Sequence, residues 1–209
     1  MNCIIIADKF NKGNKTKGWN GLLKVNKNTI LINNQIRNIY KVFPKANIVY
    51  VYGFDHKRVE DYLNQHQDIH MIYNEDYDRY GEVYSIAKAR AFLNDSCLIF
   101  FGDMIIQNSM FKDFSKKSHI YINSKRQSDL GCTVNEHGQP MHLFYDLKNY
   151  LGNMYYISKK DIENFRSLVN QPIYKNFFLF EIINIMIERQ SNFECKDVKN
   201  KKLFQTINS

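Results

Sequence analysis

Asp103 follows an apolar run, Cys97 to Phe101, and a glycine, Gly102. Such a run predicts a buried strand that halts at the glycine and delivers one carboxylate at its carboxyl end. In an open α/β sheet that end is where ligands bind, because the loops diverge there and leave a crevice. A carboxylate so placed can hold a hard divalent cation and, through it, a phosphate. The simpler alternative is a helix cap, a position that Asp favours. Two more stretches belong beside it. Between residues 8 and 21 the chain carries Lys9, Lys12, Lys15 and Lys17 among three glycines. Ammonium groups and backbone amides in such a loop can cradle phosphates, although a plain solvated loop has the same composition. It matches neither the P-loop nor the Gly-x-Gly-x-x-Gly pattern. Between residues 74 and 86, Gly81 permits close approach of a ligand to backbone. Glu82 to Ser85 then open a helix whose first amides lack intrahelical partners. An ordinary strand-to-helix turn is the competing reading.

Other chemistries fall away on inspection. His66 and His70 are four apart, but the residues between them read as a turn entering a strand, which is not a zinc-binding helix face. No serine sits in a nucleophile elbow. Cys3, Cys97, Cys132 and Cys195 are scattered without the close spacing of a zinc or redox motif, which predicts buried free thiols in a reducing cytoplasm. No apolar run is long enough to span a bilayer, and the first residues lack the basic region and apolar length of a signal peptide. The net charge of +8 raises the question of nucleic acid. The basic residues are spread along the chain without a recognisable nucleic-acid-binding pattern, so they suit small phosphorylated ligands better. The aromatic group at Phe177, Phe178 and Phe180 fits a core or a homodimer face.

The elements that position these residues alternate. Apolar strands are expected over 4–7, 47–53, 69–73 and 96–101. Helices are expected over 31–43, 56–64 and 82–93, the first on the spacing of Ile32, Ile36, Ile39, Tyr40 and Phe43 and ended by Pro44. Asp55 is the expected cap of the second. Strands alternating with helices of this length predict an α/β fold of three α/β/α layers around a mostly parallel sheet. Beyond Asp103 the rhythm becomes mixed. A strand over 119–123 precedes a hairpin over 132–145 turning at Asn135 to Gly138, then a strand over 150–158. Helices over 159–168 and 177–189 and short strands over 193–197 and 203–208 complete the chain. With 44% hydrophobic residues and no linker-like segment, residues 1–209 are expected to form a single domain.

In order along the chain stand Ile5 to Asp8, Leu22 to Asn26, Thr29 to Ile32, Asn74 to Tyr77, Tyr84 to Ile86, Gly102 with Asp103, Tyr150 to Ser158, and Thr206 to Ser209. This series resembles the small nucleotidyltransferases that join a nucleoside monophosphate to a phosphorylated sugar, choline or related alcohol, on a glycosyltransferase-A-like fold. The resemblance implies a nucleotide-binding half over 1–106 and an acceptor-binding half over 107–209. It also implies in-line attack of an acceptor phosphate on the α-phosphorus of a nucleoside triphosphate, with Mg²⁺ as cofactor and CMP or UMP as the transferred group. Asp103 and Asn208 would hold the metal. Ala7, Asp8, Lys9, Gly81, Glu82 and Ser85 would border the nucleotide, Lys17 the leaving pyrophosphate, and Lys125, Gly152 and Glu181 the acceptor.

The departures carry information too. Where the resembled pattern reads Leu-Ala-Ala-Gly, this chain has Ile6, Ala7, Asp8 and Lys9. Asn20 falls where the pattern has a lysine, and Asn208 where it has an acid. An amide oxygen can ligate a hard cation but brings no formal charge. Two alternatives therefore stand beside the transferase: a glycosyltransferase using a nucleotide sugar, which the missing Asp-x-Asp disfavours, and a catalytically inactive nucleotide-binding relative.

Overall fold

The computed structural model describes residues 1–9, 18–111, 114–125 and 129–198. Its first strand, β1 (Asn2–Ala7), is apolar on both faces, as a central strand covered by helices on both sides must be. A small ribbon of β2 (Lys24–Asn26) and β3 (Thr29–Ile30) leads into α1 (Leu31–Val42). Then follow β4 (Asn47–Tyr52), α2 (His56–Leu63), β5 (Ile69–Tyr73), α3 (Glu82–Lys88) and β6 (Cys97–Phe101). The second half contains β7 (His119–Asn123), β8 (Leu130–Val134), β9 (Pro140–Tyr145), β10 (Tyr150–Ile157), α4 (Ile162–Val169), α5 (Leu179–Glu188) and β11 (Glu194–Asp197).

Seven strands run side by side in the order β11, β7, β10, β6, β1, β4, β5, and the β8–β9 hairpin attaches to β10. The neighbours β5, β4, β1 and β6 are mutually parallel. Only β10 reverses direction among the seven, pairing antiparallel with both β6 and β7, while β7 and β11 are again parallel. The expected mostly parallel, mixed sheet is therefore present. Because β1, β4, β5, β6 and β7 share one direction, their carboxyl ends open on one edge.

Alternation along the strands builds two cores. Ile4 and Ile6 face Val83 and Ile86 of α3, Phe165 of α4 and Ile182 of α5. Cys3 and Ile5 face Ile32 and Ile39 of α1 and Val59 and Leu63 of α2. This side-to-side period of two gives the three expected layers. No described helix is long and apolar enough to cross a membrane.

Several boundaries differ from expectation for local reasons. The third helix stops at Lys88 and tightens into a 3-10 turn at Arg90–Phe92, a common way for a helix to end. α4 begins at Ile162 because the Asp161 carboxylate is held by the hydroxyls of Ser118 and Ser158, which folds Lys159 and Lys160 into the preceding turn. Asp55 stands at the N-cap of α2 but with φ 58° and no side-chain capping bond. Its carboxylate instead accepts from the Trp19 amide at 2.9 Å and pairs with Arg58 at 3.3 Å. The strand expected over 203–208 lies outside the described residues.

Candidate functional site

A crevice of about 270 Å³ opens at the shared carboxyl edge, where β1 and β6 end side by side. Its floor is a close approach of two strand ends. The Gly102 amide donates to the Ile6 carbonyl at 2.8 Å, and a Cβ on Gly102 would sit 2.3 Å from that of Ala7. Only glycine fits there, which explains why the strand halts at that residue. The next residue, Asp103, lines the crevice. No helix begins at Asp103; the chain next forms a 3-10 turn at Asn108–Phe111, so the capping alternative does not apply. The loop around Asp103 is braced from α1. Gln35 Nε2 donates to the carbonyls of Gly102 at 3.1 Å and Met104 at 2.8 Å, and Asn34 accepts from the Ile106 amide at 3.1 Å.

Asp8 is the other carboxylate delivered by a strand end. It is only 1% exposed, yet it lines the crevice. Its Oδ2 accepts from the Asn74 amide at 2.7 Å and from the Ser85 hydroxyl, which ties together the end of β5, the first turns of α3 and the end of β1. Among the described residues its buried Oδ1 has no hydrogen-bond partner. Burial holds this carboxyl above the usual range, opposed by the Ser85 and Asn74 bonds and by Lys9.

Glu82, also on the crevice wall, is half-buried and accepts from the Leu179 amide at 2.9 Å, so it links the starts of α3 and α5. Burial pushes its carboxyl up to about 7, with Asp8 adding to the shift and the Leu179 bond and Lys9 opposing it. Lys9 lines the same wall, and its Nζ donates to the Tyr80 carbonyl at 2.8 Å. Asn20 also lines the crevice.

Ala7, Asp8, Lys9, Glu82 and Asp103 thus meet in one crevice, and Ser85 sits directly behind Asp8. Gly81 is packed by the chain itself. Its amide donates to the Lys175 carbonyl at 2.9 Å, and a Cβ there would lie 2.5 Å from backbone atoms of Asn176. Lys125 is exposed after the end of β7, on the same edge but outside the crevice lining. Glu181 caps α5, accepting from the Phe178 amide at 2.7 Å. Gly152 is buried in β10 where the register with β7 shifts, and its neighbour Asn153 lines the crevice. Lys17 and Asn208 lie outside the described residues.

Three lining residues escaped the sequence reading: Trp19, Phe54 and Asn153. Trp19 is buried and donates from its indole to the Tyr50 hydroxyl at 2.9 Å. It follows Gly18, whose φ is 76°. A glycine inside a strand pattern signals a bulge or a close approach, and Gly152 was the available cue for Asn153. Nothing local distinguishes Phe54 from other loop aromatics.

For Mg²⁺, the donor set fits in a limited way. Among the described residues no group of three or more His, Cys, Asp or Glu comes together to cage a cation. Mg²⁺, however, keeps most of its waters and is held by one or two carboxylates together with substrate phosphates. One carboxylate at the crevice floor, Asp103, suits that pattern.

No family model matches the chain. Over 99 residues it is 33% identical to the choline-phosphate cytidylyltransferase of Haemophilus influenzae, a match that spans 46% of this chain and 42% of that one. The match thus covers less than half of the curated relative's length. In structure the chain is similar to the CTP:phosphocholine cytidylyltransferase of Streptococcus pneumoniae, with a TM-score of 0.82 at 16% identity over 100% of this chain and 93% of that one. It is also similar to the inositol-1-phosphate CTP transferase of T. maritima, with a TM-score of 0.69 at 14% identity over 94% of this chain and 84% of that one. At such identities the structural likeness establishes the fold. The resemblance read from the sequence motifs is borne out, in sequence over part of the chain and in fold over all of it.

Proposed function

From a chain related to the phosphocholine- and sugar-phosphate-type nucleotidyltransferases, we propose that the crevice transfers a pyrimidine nucleoside monophosphate, CMP or UMP, from its triphosphate to a small phosphorylated sugar or alcohol. The observation that carries this reading is the convergence of Asp8 and Asp103, from the ends of adjacent parallel strands, on one crevice with Lys9. An oxygen of the acceptor phosphate attacks the α-phosphorus. The new O–P bond forms as the bond to the β-phosphate oxygen breaks, and pyrophosphate leaves with the electron pair.

Asp103 would hold Mg²⁺, which would supply Lewis-acid stabilisation of the charge that develops on the α-phosphate. Asp103 itself sets where that charge is met, and Gln35 fixes the loop that carries it. Lys9, and Lys17 beyond the described residues, steady the phosphates electrostatically. Ala7, Asp8 and Glu82 border the nucleoside, and Ser85 holds Asp8 from behind. The acceptor enters beside β10, past Gly152 and Asn153, with Lys125 on the outer edge for its phosphate and Glu181 holding the α5 end of that wall.

The decisive assay supplies Mg²⁺, each of the four nucleoside triphosphates and a panel of phosphorylated sugars and alcohols, and reads pyrophosphate. Release is expected only when a pyrimidine triphosphate and an acceptor are both present. Asp103→Ala should lower it at least about 100-fold. Absence of release, together with absence of any nucleotide-dependent rise in melting temperature, would overturn the proposal.

Asn20 favours one second reading. It lines the crevice without a charge to offset a triphosphate. Nucleotide binding without pyrophosphate release would assign the chain to a binding role.

A further inference from the structure

We propose that the outer surface of β9 and the start of α5 form a contact for a second copy of this chain, giving a weak, reversible dimer. None of the residues concerned lines the crevice, so the inference adds to the functional reading above and does not depend on it.

A run of ring contacts joins the two elements. His142 stacks on Phe144 with 5.9 Å between ring centres, and Phe144 meets Tyr145 edge-on at 5.6 Å. Tyr145 in turn meets Phe180 at 5.8 Å, and Phe180 stacks on Phe178 at 5.8 Å. Phe180 is buried, but Met141 is 61% exposed, Phe144 53%, and Tyr145 and Phe178 45% each. Phe144 is bare because its cross-strand partner is Gly131, which has no side chain to cover it. Gly131 cannot be larger, since a Cβ there would lie 2.2 Å from the Leu147 carbonyl oxygen. Large apolar side chains gathered in one exposed patch mark a site of association.

The surface offers a face of side chains and not a strand edge. β9 pairs only with β8, which leaves its other edge without a strand. Asn184 of α5 closes that edge at its middle: its Oδ1 accepts from the Leu143 amide at 2.9 Å, and its Nδ2 donates to the Leu143 carbonyl at 2.8 Å. An extended peptide adding as a further strand would need those two groups. The partner is therefore one that meets side chains with side chains.

Charge points to another copy. The chain as a whole carries +8, which draws anionic partners and sets two copies against each other. On the segments that bear the ridge the charge balances: Asp146 offsets Lys148 in 140–149, and Glu181 and Glu188 offset Lys175 and Arg189 in 172–189. An anionic membrane or polymer gains no attraction there. Two copies meeting there avoid the repulsion that a more basic surface would bring.

Size agrees with this partner. Three half-exposed rings and Met141 offer on the order of 400 Å² of apolar surface. One partner of a standard interface buries about 800 Å², of which a little over half is apolar. The ridge thus supplies most of the apolar part of one half-interface. The same patch used by both copies makes a self-complementary contact that closes at two. An interface at this end of the scale dissociates on the order of 10 μM. The copies are then apart at the dilution of an ordinary unfolding melt, where Phe144 counts only as an exposed ring.

Sedimentation velocity of the full chain from about 1 to about 200 μM, a range that brackets such a contact, tests the inference. The weight-average mass should rise from 24.9 kDa toward twice that value and no further. Phe144→Glu and Phe178→Glu, each placing two like charges in the contact, should stay at the monomer mass. Phe144→Ala should weaken association about tenfold. Tyr73→Glu, at the end of β5 on the opposite side of the sheet, should behave as wild type. Melting curves establish that each variant is folded, and Phe144→Ala decides if a glutamate variant is not.

A wild type that stays monomeric to the highest concentration overturns the inference; if it then sediments with phosphatidylcholine or phosphatidylserine vesicles, the ridge meets lipid instead. Undiminished association in Phe144→Glu or Phe178→Glu overturns it as well, because the contact then lies elsewhere. So does loss of association in Tyr73→Glu, which would make it a general response to added charge, and so does growth beyond two copies.

Discussion

A single carboxyl on the crevice wall makes the electrostatics of the site measurable without substrate. Glu82 is pushed by burial from an ordinary 4.5 up to about 7. In the folded chain it therefore holds its proton more tightly than in the unfolded chain. Its contribution to stability is complete below about pH 4.5 and is lost as pH rises through about 7. Glu82→Gln keeps an oxygen for the Leu179 amide and removes the titration. The difference in unfolding free energy between wild type and this variant should thus grow in the variant's favour between those pH values, by an amount on the order of 2–3 kcal/mol. Urea melts of both proteins at pH 4.5, 6 and 8 check it; parallel curves would show that Glu82 is not held in this way. At the same scale, Asp103 was legible because a run ending in Gly-Asp has few physical meanings. The hydrogen bonding of Asp8 was not, since nothing in its sequence neighbours revealed that Asn74 and Ser85 would pair with it.

Elements matter here chiefly for what they hold. α1 is amphipathic, and its apolar spacing announced it. What it does for the site depends on Asn34 and Gln35, buried polar residues on the face that meets the loop after β6. Gln35→Leu would leave the carbonyls of Gly102 and Met104 without this donor. It should cost about 1–3 kcal/mol in urea unfolding. By loosening Asp103 it should also lower kcat of the proposed transfer more than it raises KM for the triphosphate; an unchanged kcat would limit Gln35 to a structural role. Sequence periodicity cannot see such contacts, because the residues joined are far apart in the chain. The same distance explains Asp55. Its type suits an N-cap, but the partners it takes, Trp19 and Arg58, are set by how the chain after Gly18 returns to the sheet.

The whole molecule is a sheet covered on both faces, and its stability should be concentrated there. Phe165 is fully buried between α4 and the sheet, whereas Phe144 in β9 is 53% exposed. Phe165→Ala is expected to cost about 3–5 kcal/mol in chemical unfolding. Phe144→Ala should stay within about 0.5 kcal/mol of wild type. A large loss at Phe144 would mean that the β8–β9 hairpin is covered by something in solution, such as a second copy of the chain. The reversal of β10 between β6 and β7 also belongs to this scale. It brings Asn153 to the edge where β1 and β6 end, and so builds one side of the crevice out of a strand running against its neighbours.

By itself the sequence determined the strands, the helices and their alternation, because period-two and period-3.6 patterns of apolar residues are local and survive in one dimension. It also located the edge that carries the crevice, since strand ends marked by Gly102 and Asp103 and by Ala7 and Asp8 must open together in a parallel sheet. Tertiary structure alone decided which polar groups at that edge are already paired within the fold. Asn74 and Ser85 consume one oxygen of Asp8, Leu179 consumes one of Glu82, and the chain at 175–177 fills the space beside Gly81. Hydrogen-bond saturation is a property of three-dimensional neighbours, and residue type sets only the capacity for it.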